Sequence, residues 1–315
     1  MINLPLALAI RLEGVAARLA VPSWIWRRPT LYLRRVAGNT RTRAAILAIT
    51  ERRAHDTRTR TVVDCEVWAS LREDPIEVLD VGARGGPIPA FRVFADVLRM
   101  TLVEPDPREA RRLQRRWRSS CTVVETALGA SDSYATLHVT RNPGGSSLLH
   151  PDDIGISSHL QRSRRSDLER FRVEEKVSVS VETLERLAIR LGTRFEVVKI
   201  DTQGSEGPIV SGFGDVRPLL VQVELTGDVP LYQGEWKAED VVHHLSELGY
   251  LPIKRPLSHH GDWVFLRDPR KITERKHVER AIVAACILGA LEPAVPVLAT
   301  AHNGIPLLNS LAKLT

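Results

Sequence analysis

The sequence predicts an α/β domain with a doubly wound, mostly parallel sheet, and three observations carry that expectation. A short, branched, apolar run, Ile76 to Val81, ends in three closely spaced glycines, Gly82, Gly85 and Gly86. A second run, Met100 to Val103, ends in Glu104. Beyond it, extended and helical patterns follow one another to about residue 270, as they do where strands are joined by crossover helices.

Ile76 to Val81 reads as a strand buried on both faces, because its apolar residues do not alternate with polar ones. The glycines lack Cβ atoms, so the backbone there turns with positive φ and lets a ligand approach the main chain. A helix over Ile88 to Leu98 is expected past this turn, its free N–H groups aimed at the same spot. Glu104 follows Gly82 at about the 20-residue spacing at which an acidic side chain meets ribose hydroxyls. Gly-Ala-Arg-Gly-Gly departs from the dinucleotide spacing Gly-x-Gly-x-x-Gly. Asp80, just ahead of the turn, would repel a pyrophosphate but suits the amino-acid end or cationic centre of S-adenosylmethionine (SAM). SAM rather than NAD is therefore the expected cofactor, with Asp80, Gly82, Gly85 and Glu104 as its contacts. This order of acid, glycine turn, helix, strand and second acid resembles class I SAM-dependent methyltransferases.

At 315 residues, 43% hydrophobic and 26% charged, the chain can bury one large core or two small ones. One main domain over 61–270 is expected, with a helical basic leader over 1–60 and a helical hairpin over 271–315. Lys and Arg number 44 against 38 Asp and Glu, a net charge of +6. The surplus gathers in Arg27 to Arg60, where it favours nucleic acid, anionic lipid or a phosphorylated substrate, and in Arg108 to Arg118, where a solvated helix face is expected. Cys65, Cys121 and Cys286 are odd in number and far apart, which fits a reducing, cytoplasmic setting and neither a disulfide framework nor a zinc site. The N-terminus lacks a positive n-region, so no signal peptide is expected. No apolar run reaches the roughly 18 residues of a membrane span.

In the leader, Leu4 to Leu19 has helical apolar recurrence, followed by Trp24 and Trp26 beside Arg27 and Arg28. Two readings stay open: it rests on the inner face of an anionic membrane or on a partner, or it docks on its own domain or on a second copy in a homo-oligomer. Thr61 to Leu71 reads as a helix broken at Glu73-Asp74-Pro75. Pro107 suits the first turn of a helix over Arg108 to Trp117, and Cys121 to Ala127 reads as a third strand. Ser131 to Arg141 alternates as a strand. Asn142 to Leu148 is a turn-rich loop with two hydroxyls, and Ser157 to Phe171 an Arg-rich helical insertion. Val177 to Val181 is read as a strand and Glu182 to Leu191 as a helix.

Phe195 to Gln203 is a buried strand carrying Lys199 and Asp201 near its C-terminal end, the edge at which open α/β sheets bind ligands. Leu219 to Leu225 brings Glu224 to the same edge. Lys237 to Leu248 is a helix, and Leu251 to Ile253 with Trp263 to Leu266 completes the sheet, with His259 and His260 in the loop between. In the tail, Val278 to Leu291 and Pro296 to Leu314 read as a hairpin that packs on the domain or contacts another subunit.

Val-Leu-Asp80-Val-Gly82, Val-Glu104-Pro-Asp106-Pro, Ala127-Leu-Gly129, Gly145-Ser-Ser147-Leu, Val-Lys199-Ile-Asp201-Thr-Gln-Gly204-Ser-Glu206 and Val-Glu224-Leu occur in the order seen in FkbM-like methyltransferases. The resemblance covers about Ile76 to Arg267. It implies a Rossmann-like sheet of seven strands, the last antiparallel, and SAM-dependent O-methylation of a hydroxyl on a sugar, glycolipid or polyketide-type natural product. It also implies that Ala127 and Leu128 flank the adenine. Two positions depart from the family pattern: Gln203 stands where glutamate is common, and Arg84 where asparagine is usual.

Methyl transfer to a hydroxyl requires an in-line arrangement and a group that takes the proton. Asp201 is the first candidate base, Glu224 a second or an orienter, and His259 a loop-borne alternative. Lys199, two residues before Asp201, points to the same side and keeps it ionised. A metal bridging Asp201 and Glu224 stays open, though no His or Asp cluster calls for one. Two other readings compete. A nucleic-acid methyltransferase lacks here an Asn/Asp-Pro-Pro-Tyr-like site, and 5% aromatic residues leave few stacking partners, so nucleic acid is not an expected partner. A binding or assembly protein that keeps the fold without turnover is suggested by Gln203 and the appendages.

Overall fold

The computed structural model describes residues 65–159, 165–227, 229–256 and 260–301. The expectations for the 1–60 leader, for His259 and for the end of the tail lie outside them.

Ten strands form two sheets. The chain runs α1 (Cys65–Glu73), β1 (Ile76–Val81), α2 (Pro89–Val93), β2 (Leu98–Val103), α3 (Pro107–Trp117) and β3 (Cys121–Val124). It continues through β4 (Ala127–Leu128), β5 (Ser133–Thr140), α4 (Asp153–His159), β6 (Val173–Glu182), α5 (Leu184–Leu191), β7 (Val197–Ile200) and α6 (Glu206–Ser211). It closes with β8 (Leu220–Leu225), α7 (Ala238–Glu247), β9 (Tyr250–Lys254), β10 (Gly261–Arg267), α8 (Arg275–Ile287) and α9 (Leu291–Leu298). The main sheet has seven strands in the order β3-β2-β1-β7-β8-β10-β9. Its pairings are parallel except for β10, which runs antiparallel to both β8 and β9. The expected seven-stranded sheet with its last strand reversed is therefore present.

Both faces of this sheet are covered, which is why its central strands are predominantly apolar. On one face Ile76, Val78, Met100, Val197, Leu220 and Val264 pack with Phe91, Phe94 and the apolar side of α8. On the other, Leu79, Val81, Val198, Ile200, Val221 and Phe265 pack with α5, α6 and α7. Along β1, Val78 and Leu79 thus serve opposite faces, as the two-residue period of a strand requires.

Helix α8 shares the first of these cores, so the described part of the tail packs on the sheet. Arg280, buried in its middle, donates to both carboxylate oxygens of Glu196 at 2.5 Å and to the carbonyls of Asp74 and Pro75 at 2.8 and 2.6 Å. Glu196 in turn accepts from the Glu77 N–H at 3.1 Å. A buried guanidinium with this many acceptors is satisfied, and it ties the tail to the entrances of β1 and β7. No described helix is long and apolar enough to cross a membrane.

Three expectations need correction. The helix after the glycine turn is only Pro89–Val93, because a turn closed by Val97 N–H to Phe94 O leads at once into β2, which starts at Leu98. The third strand stops at Val124, and Ala127 and Leu128 leave the main sheet to pair with β6. The alternating segments β5 and β6 then form a separate three-stranded sheet in the order β4-β6-β5. The Arg-rich insertion is not one helix: α4 spans Asp153–His159, and Arg165–Phe171 is a 3-10 segment.

Candidate functional site

The C-terminal ends of β1, β2 and β7 open onto one cleft, roofed by the second sheet and the Pro143 to Leu148 loop. Val81, Gly82 and Arg84 come from the β1 turn, Val103, Glu104 and Pro105 from β2, and Asp201, Thr202, Gln203 and Ser205 from the loop after β7. Ala127, Leu128 and Leu137 supply an apolar wall opposite the acids.

Gly82, Glu104, Ala127, Leu128 and Asp201, five of the expected site residues, line this cleft together. Gly82 has φ +76°, and a Cβ there would lie 1.9 Å from the backbone oxygen of Asp201. Its lack of a side chain is therefore required by the crossing of the β1 and β7 ends, and only indirectly by a ligand. Gly85 does not line the cleft. Its φ of +86° shapes the turn, and its N–H is taken by Glu109 Oε1 at 2.9 Å.

Glu104 is buried, and its Oε1 accepts from the Asp106 N–H at 2.9 Å. Among the described residues no protein hydrogen bond reaches its other oxygen. Burial pushes its carboxyl up to about 7, against the opposing pull of the Arg84 charge and the Asp106 N–H. Arg84 sits 3.8 Å from Glu104 but bonds Asp106 at 2.7 Å, so its charge is spent mainly on the neighbour. Asp106 also caps α3, accepting from the Arg108 N–H at 2.9 Å.

Asp80 and Asp201 divide differently from the sequence expectation. The Asp80 side chain is 1% exposed and lies beneath the cleft, whereas that of Asp201 is 34% exposed and faces it. Lys199 joins them, with Nζ 3.1 Å from Asp80 and 3.3 Å from Asp201. The register explains the arrangement, since Asp80 and Lys199 are directly paired across β1 and β7. Burial works against the Lys199 ammonium, but two carboxylates outweigh it and raise its pKa.

From Asp201 a chain of polar contacts runs outwards. Gln203 Nε2 donates to Asp201 Oδ1 at 2.9 Å and to Glu224 Oε2 at 3.0 Å. Glu224 Oε1 lies 3.2 Å from His260 Nε2. Burial lifts the Asp201 carboxyl, but the Lys199 charge and hydrogen bonds from Glu224, Gln203 and Lys199 bring it below its ordinary value. For Glu224 the His260 hydrogen bond acts downwards, yet burial and the Asp201 charge prevail and raise it. The loop is stapled by Glu206, whose carboxylate accepts from Thr202 N–H, Thr202 Oγ1 and Gly204 N–H at 2.8, 3.0 and 2.8 Å.

Several of these residues take places that the sequence reading did not assign them. Gln203 is the one non-glycine residue with a left-handed backbone among those described, at φ +61°. Tyr232 reaches in from the 229–236 loop to donate to Gly145 O at 2.9 Å, with Gln203 Oε1 3.4 Å away. Ser205 Oγ is buried at the cleft without a hydrogen-bond partner in the protein. Only Glu206 carried a detectable signal, as a helix-first-turn acid four residues after Thr202. No group of three or more His, Cys, Asp or Glu side chains suited to a metal occurs among the described residues.

Known proteins resemble the chain in part. No curated protein sequence matches it. Among solved structures, human methyltransferase-like protein 13 in complex with SAH is 12% identical, covering 77% of this chain and 92% of its own at a TM-score of 0.34. Magnesium protoporphyrin IX methyltransferase from Synechocystis PCC 6803, with bound SAM, is 11% identical, covering 67% and 79% at 0.33. An O-methyltransferase family protein from Burkholderia thailandensis is 12% identical, covering 84% and 71% at 0.30. The weight rests instead on the family model for the methyltransferase FkbM domain, which matches residues 80–252, more than half of the chain and every wall of the cleft. The chain belongs to the FkbM methyltransferase domain family.

Proposed function

We propose that the protein is a SAM-dependent O-methyltransferase that acts on a hydroxyl of a sugar, glycolipid or polyketide-type natural product. One observation supports this most: a buried, under-bonded acid, Glu104, and an ionised acid, Asp201, line the same cleft on either side of a glycine turn. The cofactor is S-adenosylmethionine, and the donor and acceptor set fits it. The open oxygen of Glu104 suits a hydroxyl donor such as a ribose diol, Ala127, Leu128 and Leu137 offer an apolar wall for a purine, and Ser205 Oγ is a buried polar atom awaiting a partner. When bound, the cofactor supplies an electrophilic methyl group on a sulfonium centre.

The remaining chemistry belongs to the chain. Asp201 stays ionised through Lys199 and accepts the proton of the acceptor hydroxyl as its oxygen becomes nucleophilic. Asp80, out of reach of the cleft, acts on Asp201 through Lys199 by fixing the ammonium between the two carboxylates. Glu224 orients the far side of the same group. Oxygen as the target fits a base of this strength and position, since a hydroxyl must lose its proton while it attacks.

Isotope transfer tests the proposal. Purified protein is incubated with methyl-labelled SAM and cell extract, and the extract is fractionated into lipid, glycan, small-molecule, protein and RNA pools. Label is expected in the lipid, glycan or small-molecule pool as an alkali-stable ether. Label confined to RNA or protein, or no transfer at all despite SAM binding, would overturn it.

A further inference from the structure

The loop after β7 sets Gln203 between two carboxyl groups, Asp201 and Glu224. Asp201 and Glu224 stand at the ends of the neighbouring strands β7 and β8. Repulsion between them in a half-buried site disfavours a second negative charge, and Glu224 is raised while Asp201 is held down. Gln203 meets both through a single amide nitrogen, at 2.9 and 3.0 Å. Two carboxyl acceptors on this side turn the NH₂ towards them and leave the carbonyl oxygen 3.4 Å from the Tyr232 hydroxyl. To reach this place its backbone adopts φ +61°, costly for a side chain without such contacts.

Resting on the proposed methyl transfer, we propose that Gln203 is the positioning residue of a one-proton Asp201–Glu224 pair, its amide holding both carboxyls so that Asp201 remains free to accept the acceptor's proton. The proton leaves the acceptor oxygen, forms an O–H bond at Asp201, and leaves the pair protonated on both members until one proton returns to solvent. The surroundings set the balance. Lys199, itself between Asp80 and Asp201, holds the charge on Asp201, while His260 contacts Glu224 from the β9–β10 side. Among the described residues, Glu206 and Glu235, each bonded to backbone N–H groups, and the buried Tyr232 phenol add to the titratable groups around the pair.

A glutamate at this position would place a third carboxyl against the other two, whereas a thioether would remove the donor and keep the length. The test is a carboxyl-carbon NMR titration of protein labelled at Asp and Glu, without cofactor or acceptor, in wild type, Gln203→Met and Gln203→Asn. Asparagine tolerates the left-handed backbone and is too short to bridge both partners, so it keeps the test valid if the methionine variant folds poorly. In wild type, Asp201 and Glu224 are expected to titrate in two well-separated steps. In both variants those steps move up by about one pH unit, because the charged forms lose a donor. The acid limb of methyl transfer moves with them, while SAM affinity measured by calorimetry stays within about threefold. Independent titration of the two carboxyls, or steps that do not move in either variant, would overturn the pair. The titration does not depend on turnover, so absence of methyl transfer would count against the proposed function and leave this result standing.

Discussion

The acid at the end of β2 and the acids at the ends of β7 and β8 share one sheet edge but live under opposite rules. Glu104 is alone: burial dominates, Arg84 is diverted to Asp106, and the carboxyl is lifted to about 7. Asp201 is crowded: Lys199 and Gln203 contact it, Gln203 links it to Glu224, and its carboxyl is held below its ordinary value. A lone buried acceptor suits binding neutral hydroxyls, which satisfy it without bringing charge. A networked acid suits moving a proton, because its charge is maintained in advance. The comparison teaches that equivalent strand ends become a binding group or a base according to what the next loop supplies.

Removing the junction between the two regions should have the largest effect. Gly82→Ala combines a left-handed backbone with a Cβ 1.9 Å from Asp201 O, so the β7 end must move. A destabilisation of about 3 kcal/mol is expected in denaturant unfolding, with loss of SAM binding in calorimetry. Asp201→Asn attacks only the networked side: kcat should fall by about 10² to 10⁴, with SAM affinity changed less than about threefold. If the same variant lost binding and kept turnover, the division between the two regions would be reversed.

Glu104→Gln attacks only the lone side. SAM affinity should weaken by about tenfold to a hundredfold, since one charge-assisted acceptor is worth about 1.5–3 kcal/mol. The same variant has a pH signature. The folded protein keeps the Glu104 proton to about pH 7, while an unfolded chain releases it near 4.5. Its contribution is therefore full below 4.5 and is lost as pH rises through 7. Glu206, also lifted to about 7 chiefly by burial, acts in the same window. Melting temperature of the cofactor-free protein is expected to fall from pH 4.5 to 7, and less steeply in Glu104→Gln; an equal slope would remove Glu104 from the account.

Smaller effects sharpen the comparison. Glu206→Gln leaves one loop donor facing an amide NH₂ and should cost about 2 kcal/mol in chemical denaturation. Thr183→Ala removes the N-cap of α5, whose hydroxyl accepts from Arg186 N–H at 3.1 Å. It should cost about 1 kcal/mol without altering SAM affinity, a reference for changes outside the cleft.

The sheet was legible in the sequence because strands buried on both faces show unalternated apolar runs, and β1, β2, β7 and β8 all do. Their ends were legible for the same reason, which is how Glu104, Asp201 and Glu224 were placed at one sheet edge. What stayed hidden depends on tertiary register or loop shape. That Asp80 is paired with Lys199 follows from the β1–β7 register, which no local pattern encodes. Gln203 looked like a lost charge, yet its left-handed backbone gives its amide a place between two acids. Arg280 could have been noticed as a charge leading directly into the apolar stretch 281–287, where a buried ion pair is to be expected. The 229–236 loop carries no periodicity, so Tyr232 had no signal.

The most direct test of the central claim is a crystal structure of the protein with S-adenosylhomocysteine. The account predicts the ribose hydroxyls on Glu104, the adenine against Ala127 and Leu128, and the sulfur towards Asp201. A ligand seated away from Glu104, or one whose sulfur end points away from Asp201, would contradict it.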